Sequence, residues 1–255
     1  QKLVTISTMF IFILQSKTLP PVNLLFFTLE INCWVVEPYI NKIIPMETLN
    51  ILFESPLGIV IFISAYLLGS IPFGFLIAKI FLGYDIRTVG SGNIGMTNMV
   101  RTGGKIPGIA TFVFDVGKGS LAVFIAIYFV KLEQLPEIVT ILAAFLAVFG
   151  HTCSIFLKFK GGKGVATTVG VLLIFNIKMF LAFGLTWLLV FIVKRISSLS
   201  ALIALLILPI ATFYFYHFSG KFYLSLILSS YIILLHHENI KRLLQGSENK
   251  LKTSK

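Results

Sequence analysis

From residue 57 onward the chain alternates long apolar runs with short loops rich in glycine, lysine, arginine and asparagine. In helical form, about 20 apolar residues match the hydrocarbon thickness of a bilayer, and a backbone surrounded by lipid must satisfy its polar groups within its own segment. Seven such runs are readable, at roughly 57–79, 108–130, 138–157, 164–176, 178–193, 198–216 and 221–235. The expected fold is therefore all-α, a polytopic integral membrane protein with about seven transmembrane helices. The fourth and fifth runs are short for full spans and are joined by Asn176-Ile177-Lys178. One kinked or re-entrant element fits them, and so do two helices partly shielded by neighbours. Composition agrees: 57% of residues are hydrophobic and 12% charged, more apolar sequence than a soluble core of this length needs.

Charge gives the orientation. After Met46, fifteen lysines and arginines fall in loops on one side of the seven runs, against only Lys131, Lys178 and Lys221 on the other. Cytoplasmic loops collect Lys and Arg, so the N-terminus is expected outside, the C-terminus inside, and the richer side in the cytoplasm. The formal net charge of +11 is then a matter of topology. With no basic run interleaved with aromatics, nucleic-acid binding is excluded. Cys33 and Cys153 fit no metal or disulfide spacing, and the carboxylates are too sparse for a divalent site, so no metal and no cofactor is expected. Residues 1–45 read as an N-terminal extension without a functional role, ahead of a domain at 46–255. Expression from Met46 tests this, with lost insertion or activity counting against it.

All four polar clusters fall on the cytoplasmic side. Ser91-Gly92-Asn93-Ile94-Gly95-Met96-Thr97-Asn98 is followed by Arg101 and Lys105. Its glycines permit tight turns, its side chains offer hydrogen bonds, and its amides could form an anion site, although glycine spacing alone describes no more than a turn. Lys160-Gly161-Gly162-Lys163-Gly164 resembles a phosphate cradle, but Gly164 follows the lysine where a Walker loop has Ser or Thr, which disfavours a nucleotide triphosphatase. A plain basic hairpin between two spans accounts for it about as well. Asp115 and Lys118 stand three apart and can pair on one helix face, or Lys118 can snorkel to the interface. The last cluster, His236-His237-Glu238-Asn239, puts His236 and Asn239 on one face with Glu248 beyond a Gly turn; His151 precedes the glycine loop. No catalytic triad is visible, and no histidine is followed five residues on by aspartate.

Gly69-Ser70-Ile71-Pro72-Phe73-Gly74, Ser91 to Asn98, Gly161 to Thr167 and His236 to Glu248, in this order and spacing, closely resemble the bacterial acyl-phosphate-dependent glycerol-3-phosphate acyltransferases, the PlsY family. The resemblance covers about residues 57 to 250. It implies a seven-helix inner-membrane enzyme, with its site facing the cytoplasm, that makes lysophosphatidic acid from acyl phosphate and glycerol 3-phosphate. Carried over position by position, it implicates Ser91, Arg101, His236 and Asn239 in catalysis. Gly92, Asn93, Gly95, Thr97, Asn98, Gly161, Gly162, Lys163 and Gly164 would bind substrate phosphate, with Lys105, Asp115, Lys118, His151 and Glu248 in support. The chain departs from the family pattern in three places. Met96 replaces an alanine, Cys153-Ser154 an aromatic-proline pair, and His237 an arginine. The partners implied are the two substrates and membrane lipid. The alternative is a transporter for a phosphorylated solute, which would show internal repeats and polar groups near the bilayer midplane. No repeat is visible.

Overall fold

Every regular element in the computed structural model, which describes residues 55–250, is a helix. The order is α1 (Pro56–Ser70), α2 (Phe73–Ile77) running on as a π turn (Ala78–Leu82), α3 (Met96–Gly103), α4 (Lys105–Leu132), α5 (Glu137–Thr152), α6 (Val165–Phe175), α7 (Ile177–Lys194), α8 (Ser197–Tyr216), α9 (Gly220–Leu235) and α10 (His237–Leu244). The extension expected at 1–45 lies outside the described residues. Among the described residues, five stretches are long and apolar enough to cross a membrane: Pro56–Leu82, α4, Glu137–Leu157, α7 and α8. α6 and α9 are apolar but shorter.

Local chemistry sets the boundaries. The Ser55 side chain accepts from the Gly58 amide, and Pro56 fills the first turn, where a missing N–H costs nothing. The first span breaks at Ile71, whose ψ of 117° is the extended geometry that a following proline imposes. The open choice at 164–193 resolves into two helices. Asn176 ends α6 and caps α7, its Oδ1 accepting from the amides of Lys178 and Met179 at 3.1 and 3.2 Å and from the Tyr216 hydroxyl at 3.0 Å. With 11 residues, α6 is about 16 Å long, roughly half the bilayer core. It lies along α4, which shields it.

Two glycine-lined crossings hold the bundle. Where α1 meets α5, Gly69 lies on the Ala147 backbone and Gly150 on that of Tyr66 and Ser70. Where α4 meets α6, Gly119 lies on Thr167 and Gly170 on Val116 and Ser120, and the Ser120 hydroxyl donates to the Gly170 carbonyl at 3.0 Å. A Cβ at any of the four would overlap main-chain atoms. Lipid supplies no hydrophobic drive between helices, so this close approach, with its dispersion and hydrogen bonds, does the holding. Gly170→Val is expected to force α6 off α4 and to cost at least the ~1–3 kcal/mol of an overpacked core. Thermal unfolding in detergent reads this, and a wild-type midpoint would show the crossing to be slack.

The main core, including Ile61, Val148, Leu172, Phe183, Leu205 and Leu228, fills the bundle. A smaller core of Ile77, Ala78, Ile86, Ile94, Met99 and Leu157 packs beneath the first polar loop. It anchors that loop and the approach to the glycine loop in the same place. Large apolar side chains such as Val193, Ile210 and Leu189 face outward, as lipid-facing surface requires.

Candidate active site

The first polar loop is clasped by its own asparagines. The Asn98 Oδ1 accepts from the Ser91 amide at 2.8 Å, and its Nδ2 donates to the carbonyls of Ile86 and Val89 at 3.3 and 3.1 Å. The Asn93 Oδ1 accepts from the Gly95 amide at 2.9 Å, and the Gly92 amide donates to the Val89 carbonyl at 3.1 Å. The expectation that this loop binds phosphate is narrowed here: the amides of Ser91, Gly92 and Gly95 and the Asn98 carboxamide are spent inside the loop, while the amides of Met96 and Thr97, in the first turn of α3, have no intrahelical acceptor. Gly74 backs the loop where it meets α4, because a Cβ there would strike the Ile94 carbonyl and crowd the Thr111 methyl.

The glycine loop needs a similar correction. The Gly161 and Gly162 amides donate to the carbonyls of Thr152 and His151 at 2.9 and 3.1 Å, the C-terminal end of α5. A Cβ on Gly161 would collide with those carbonyls, so glycine here answers for close docking and not for anion binding. Gly164, with φ of +86°, turns the chain into α6, whose first amides lack intrahelical acceptors. Between them, Lys163 reaches across to donate its ammonium to the Asn239 Oδ1.

Asn239 lies in the first turn of α10, buried like His236 just before it. Its Nδ2 donates to the Glu248 Oε1 at 2.7 Å, as does the Ser198 hydroxyl at 2.7 Å, while the Arg242 Nε donates to Oε2 at 2.6 Å. The Glu248 side chain is only 6% exposed. Burial opposes its ionisation, but the hydrogen bonds from Ser198, Arg242 and Asn239 prevail and hold its carboxyl below the ordinary glutamate range. Next to it, the Asn249 carbonyl accepts from Arg101 Nη2 at 2.8 Å. The structure thus gathers Arg101, Lys163, His236, Asn239 and Glu248. Burial, then the neighbouring Arg242 charge, push the Lys163 ammonium below the usual lysine range.

His236 Nδ1 lies 2.8 Å from the Ile232 carbonyl, which can only accept, so Nδ1 carries the proton and Nε2 keeps its lone pair. Burial pushes the imidazole down to about 4, so it is neutral at physiological pH. Other expected residues stand apart. Ser91 is exposed, and its only recorded bond is to Asn98; Lys105 is exposed at the start of α4 and has no polar partner among the described residues. Lys118 does not snorkel: it lies buried 2.8 Å from Asp115 and donates to the Ile71 carbonyl at 2.7 Å.

Sequence reasoning missed Ser197, Ser198 and Arg242. The Ser197 hydroxyl lies 3.0 Å from that of Thr97, and Ser198 bonds Glu248, so the start of α8 completes the site. The signal was a serine pair one residue beyond Lys194-Arg195 on the basic side.

A family model described as glycerol-3-phosphate acyltransferase matches residues 59–246. The chain belongs to that family. A glycerol-3-phosphate acyltransferase of Pelagibacter ubique is 44% identical over 194 residues, covering 76% of this chain and 97% of that protein. The crystal structure of PlsY, an integral membrane glycerol 3-phosphate acyltransferase, in its glycerol 3-phosphate form has a TM-score of 0.72 and 38% identity over 77% of this chain and 96% of that one. Its lysophosphatidic acid form has a TM-score of 0.69 and 37% identity over the same shares. The resemblance drawn from the motifs therefore holds for the acyltransferase family as a whole.

Proposed function

We propose that the protein transfers a fatty acyl group from acyl phosphate to the 1-hydroxyl of glycerol 3-phosphate, giving lysophosphatidic acid and inorganic phosphate in the first step of phospholipid synthesis. The observation that carries this reading is the convergence of Lys163 and Arg242 on the Glu248–Asn239 pair, with Arg101 on the adjacent Asn249 carbonyl, in a chain with the fold of PlsY. We read seven membrane crossings, with the N-terminus outside, the C-terminus inside and this site facing the cytoplasm of a bacterial inner membrane. The fifteen-to-three bias of basic residues supports that orientation.

The difficulty of the reaction is electrostatic. Each substrate carries about two negative charges, and two such phosphates roughly 6 Å apart at an effective dielectric near 20 repel by on the order of 10 kcal/mol. Three cations against one carboxylate leave the site with two uncompensated positive charges, which offset that repulsion and hold the reactants together. The hydroxyl oxygen then bonds to the acyl carbon, and the carbon–oxygen bond to the donor phosphate breaks. The hydroxyl proton passes to a phosphate oxygen. That oxygen, with a pKa near 6, is a better base at neutral pH than an imidazole at about 4. The neutral His236 and the Asn239 carboxamide therefore position groups.

His236→Gln is accordingly expected to lower turnover by one constant factor between about pH 6 and 9, since no titration of His236 falls in that window. A defect that varies with pH would return the imidazole to the role of base. Detergent-purified protein given glycerol 3-phosphate with acyl phosphate should release phosphate and form lysophosphatidate in equal amounts, and acyl-CoA should not replace the donor. Vesicle uptake without chemistry would instead establish the transporter.

A further inference from the structure

The side chains of Asp115, Lys118 and His151 are 1%, 2% and 3% exposed. Asp115 Oδ1 lies 2.8 Å from the Lys118 ammonium and 3.5 Å from His151 Nδ1. Both distances are ionic, yet neither Asp115 oxygen nor Nδ1 has a partner in hydrogen-bond geometry among the described residues. Buried charge of this kind contributes little net stability, and well-packed apolar side chains often do as well. Its contacts suggest what it does instead. Lys118 grips the Ile71 carbonyl at the α1–α2 break, and its ammonium lies 5.8 Å from the centre of the Phe73 ring. His151 meets Gly162 twice. Its carbonyl accepts the Gly162 amide at 3.1 Å, and its Nε2 edge lies so close that a Cβ on Gly162 would strike the ring. The next residue is Lys163, whose ammonium must reach Asn239.

We propose that Asp115, Lys118 and His151 are positioning residues for Lys163, a buried strut that joins the α1–α2 break, α4 and the end of α5. The strut seats Gly161-Gly162 at the depth from which Lys163 meets Asn239. For what Lys163 does, the proposal rests on the acyl-transfer reading; for where the loop sits, it does not.

Two variants test it in the full-length protein in detergent. Asp115→Asn/Lys118→Met removes both charges together, so that neither is left stranded, and His151→Phe keeps the ring volume but loses both nitrogens. Hydrogen exchange at the Gly161 and Gly162 amides, which requires no activity, is expected to quicken roughly tenfold or more in each. His151→Phe should cut kcat/KM at least tenfold in the wild-type background, but by less than about threefold when Lys163 is already Ala, because it acts through that residue. His151→Asn, which keeps an N–H toward Asp115, should recover part of the loss. Unchanged exchange in the paired variant overturns the proposal, as do losses at His151 and Lys163 that simply multiply. If His151→Phe does not fold, the paired variant and His151→Asn decide by the same exchange measurement. If the wild type transfers no acyl group, the acyl-transfer reading falls, and exchange alone judges the strut.

Discussion

Lys163→Ala is expected to lower lysophosphatidate formation by about 10²–10³-fold, the usual cost of deleting one preorganised electrostatic donor. Membrane insertion and thermal midpoint should stay near wild type. Among the described residues Lys163 has no direct carboxylate partner; its ammonium donates to the Asn239 carbonyl oxygen, and burial has stripped it of much of its water. A cation held in this way keeps most of its charge for an incoming anion. Arg is not an equivalent replacement, because its longer planar head cannot occupy a point-charge position between the glycine loop and α10. Lys163→Arg should therefore recover only part of the loss. Activity of Lys163→Ala within about threefold of wild type would remove Lys163 from the mechanism.

Glu248→Leu is expected to be nearly as damaging, for a different reason. One carboxylate accepts from Asn239, Ser198 and Arg242. Deleting it strands two donors and leaves the partly exposed Arg242 guanidinium without its carboxylate, at a cost on the order of 1–3 kcal/mol. Asn239 would then lose its orientation, and Lys163 its acceptor. The wild type should also be acid-labile. Because Glu248 titrates below its ordinary value of 4.5, its contribution is complete above that value and fades as the pH falls through the lower, folded one. His236 acts earlier on the same downward path. Between its ordinary 6.5 and about 4, the unfolded imidazole takes a proton that the folded one refuses, costing on the order of 3 kcal/mol across that window. Denaturant midpoints at pH 7 and pH 5 isolate the histidine, because the Glu248 contribution fades only below 4.5. In His236→Gln the decline between those values should shrink, and an unchanged decline would acquit the histidine.

Seven apolar runs, their order and their ends within a few residues were legible because lipid permits so little besides helices. That Arg101, Lys163, His236, Asn239 and Glu248 stand out was legible as well, since polar groups beside long apolar spans need a reason to be there, and the structure brings these five together. The wiring was not. A glycine that lets an amide reach phosphate and one that lets it dock on a helix end look alike in sequence, and only the carbonyls of His151 and Thr152 tell them apart for Gly161 and Gly162. Asn98 likewise reads as a ligand group until its partners prove to be Ser91, Ile86 and Val89. Ser198 was invisible for a simpler reason: it stands 50 positions from Glu248, and no periodicity in that interval predicts their meeting.

Arg101 reaches the Asn249 carbonyl, and Glu248 ties three donors together. The keystone of the site is thus synthesised after every apolar helix of the bundle. A nascent chain can thread α1 to α9 into the bilayer and close both glycine crossings while its chemistry is still silent. A translation product halted before residue 248 would be inserted, folded and inert, and catalysis would switch on only as Glu248 and Asn249 emerge.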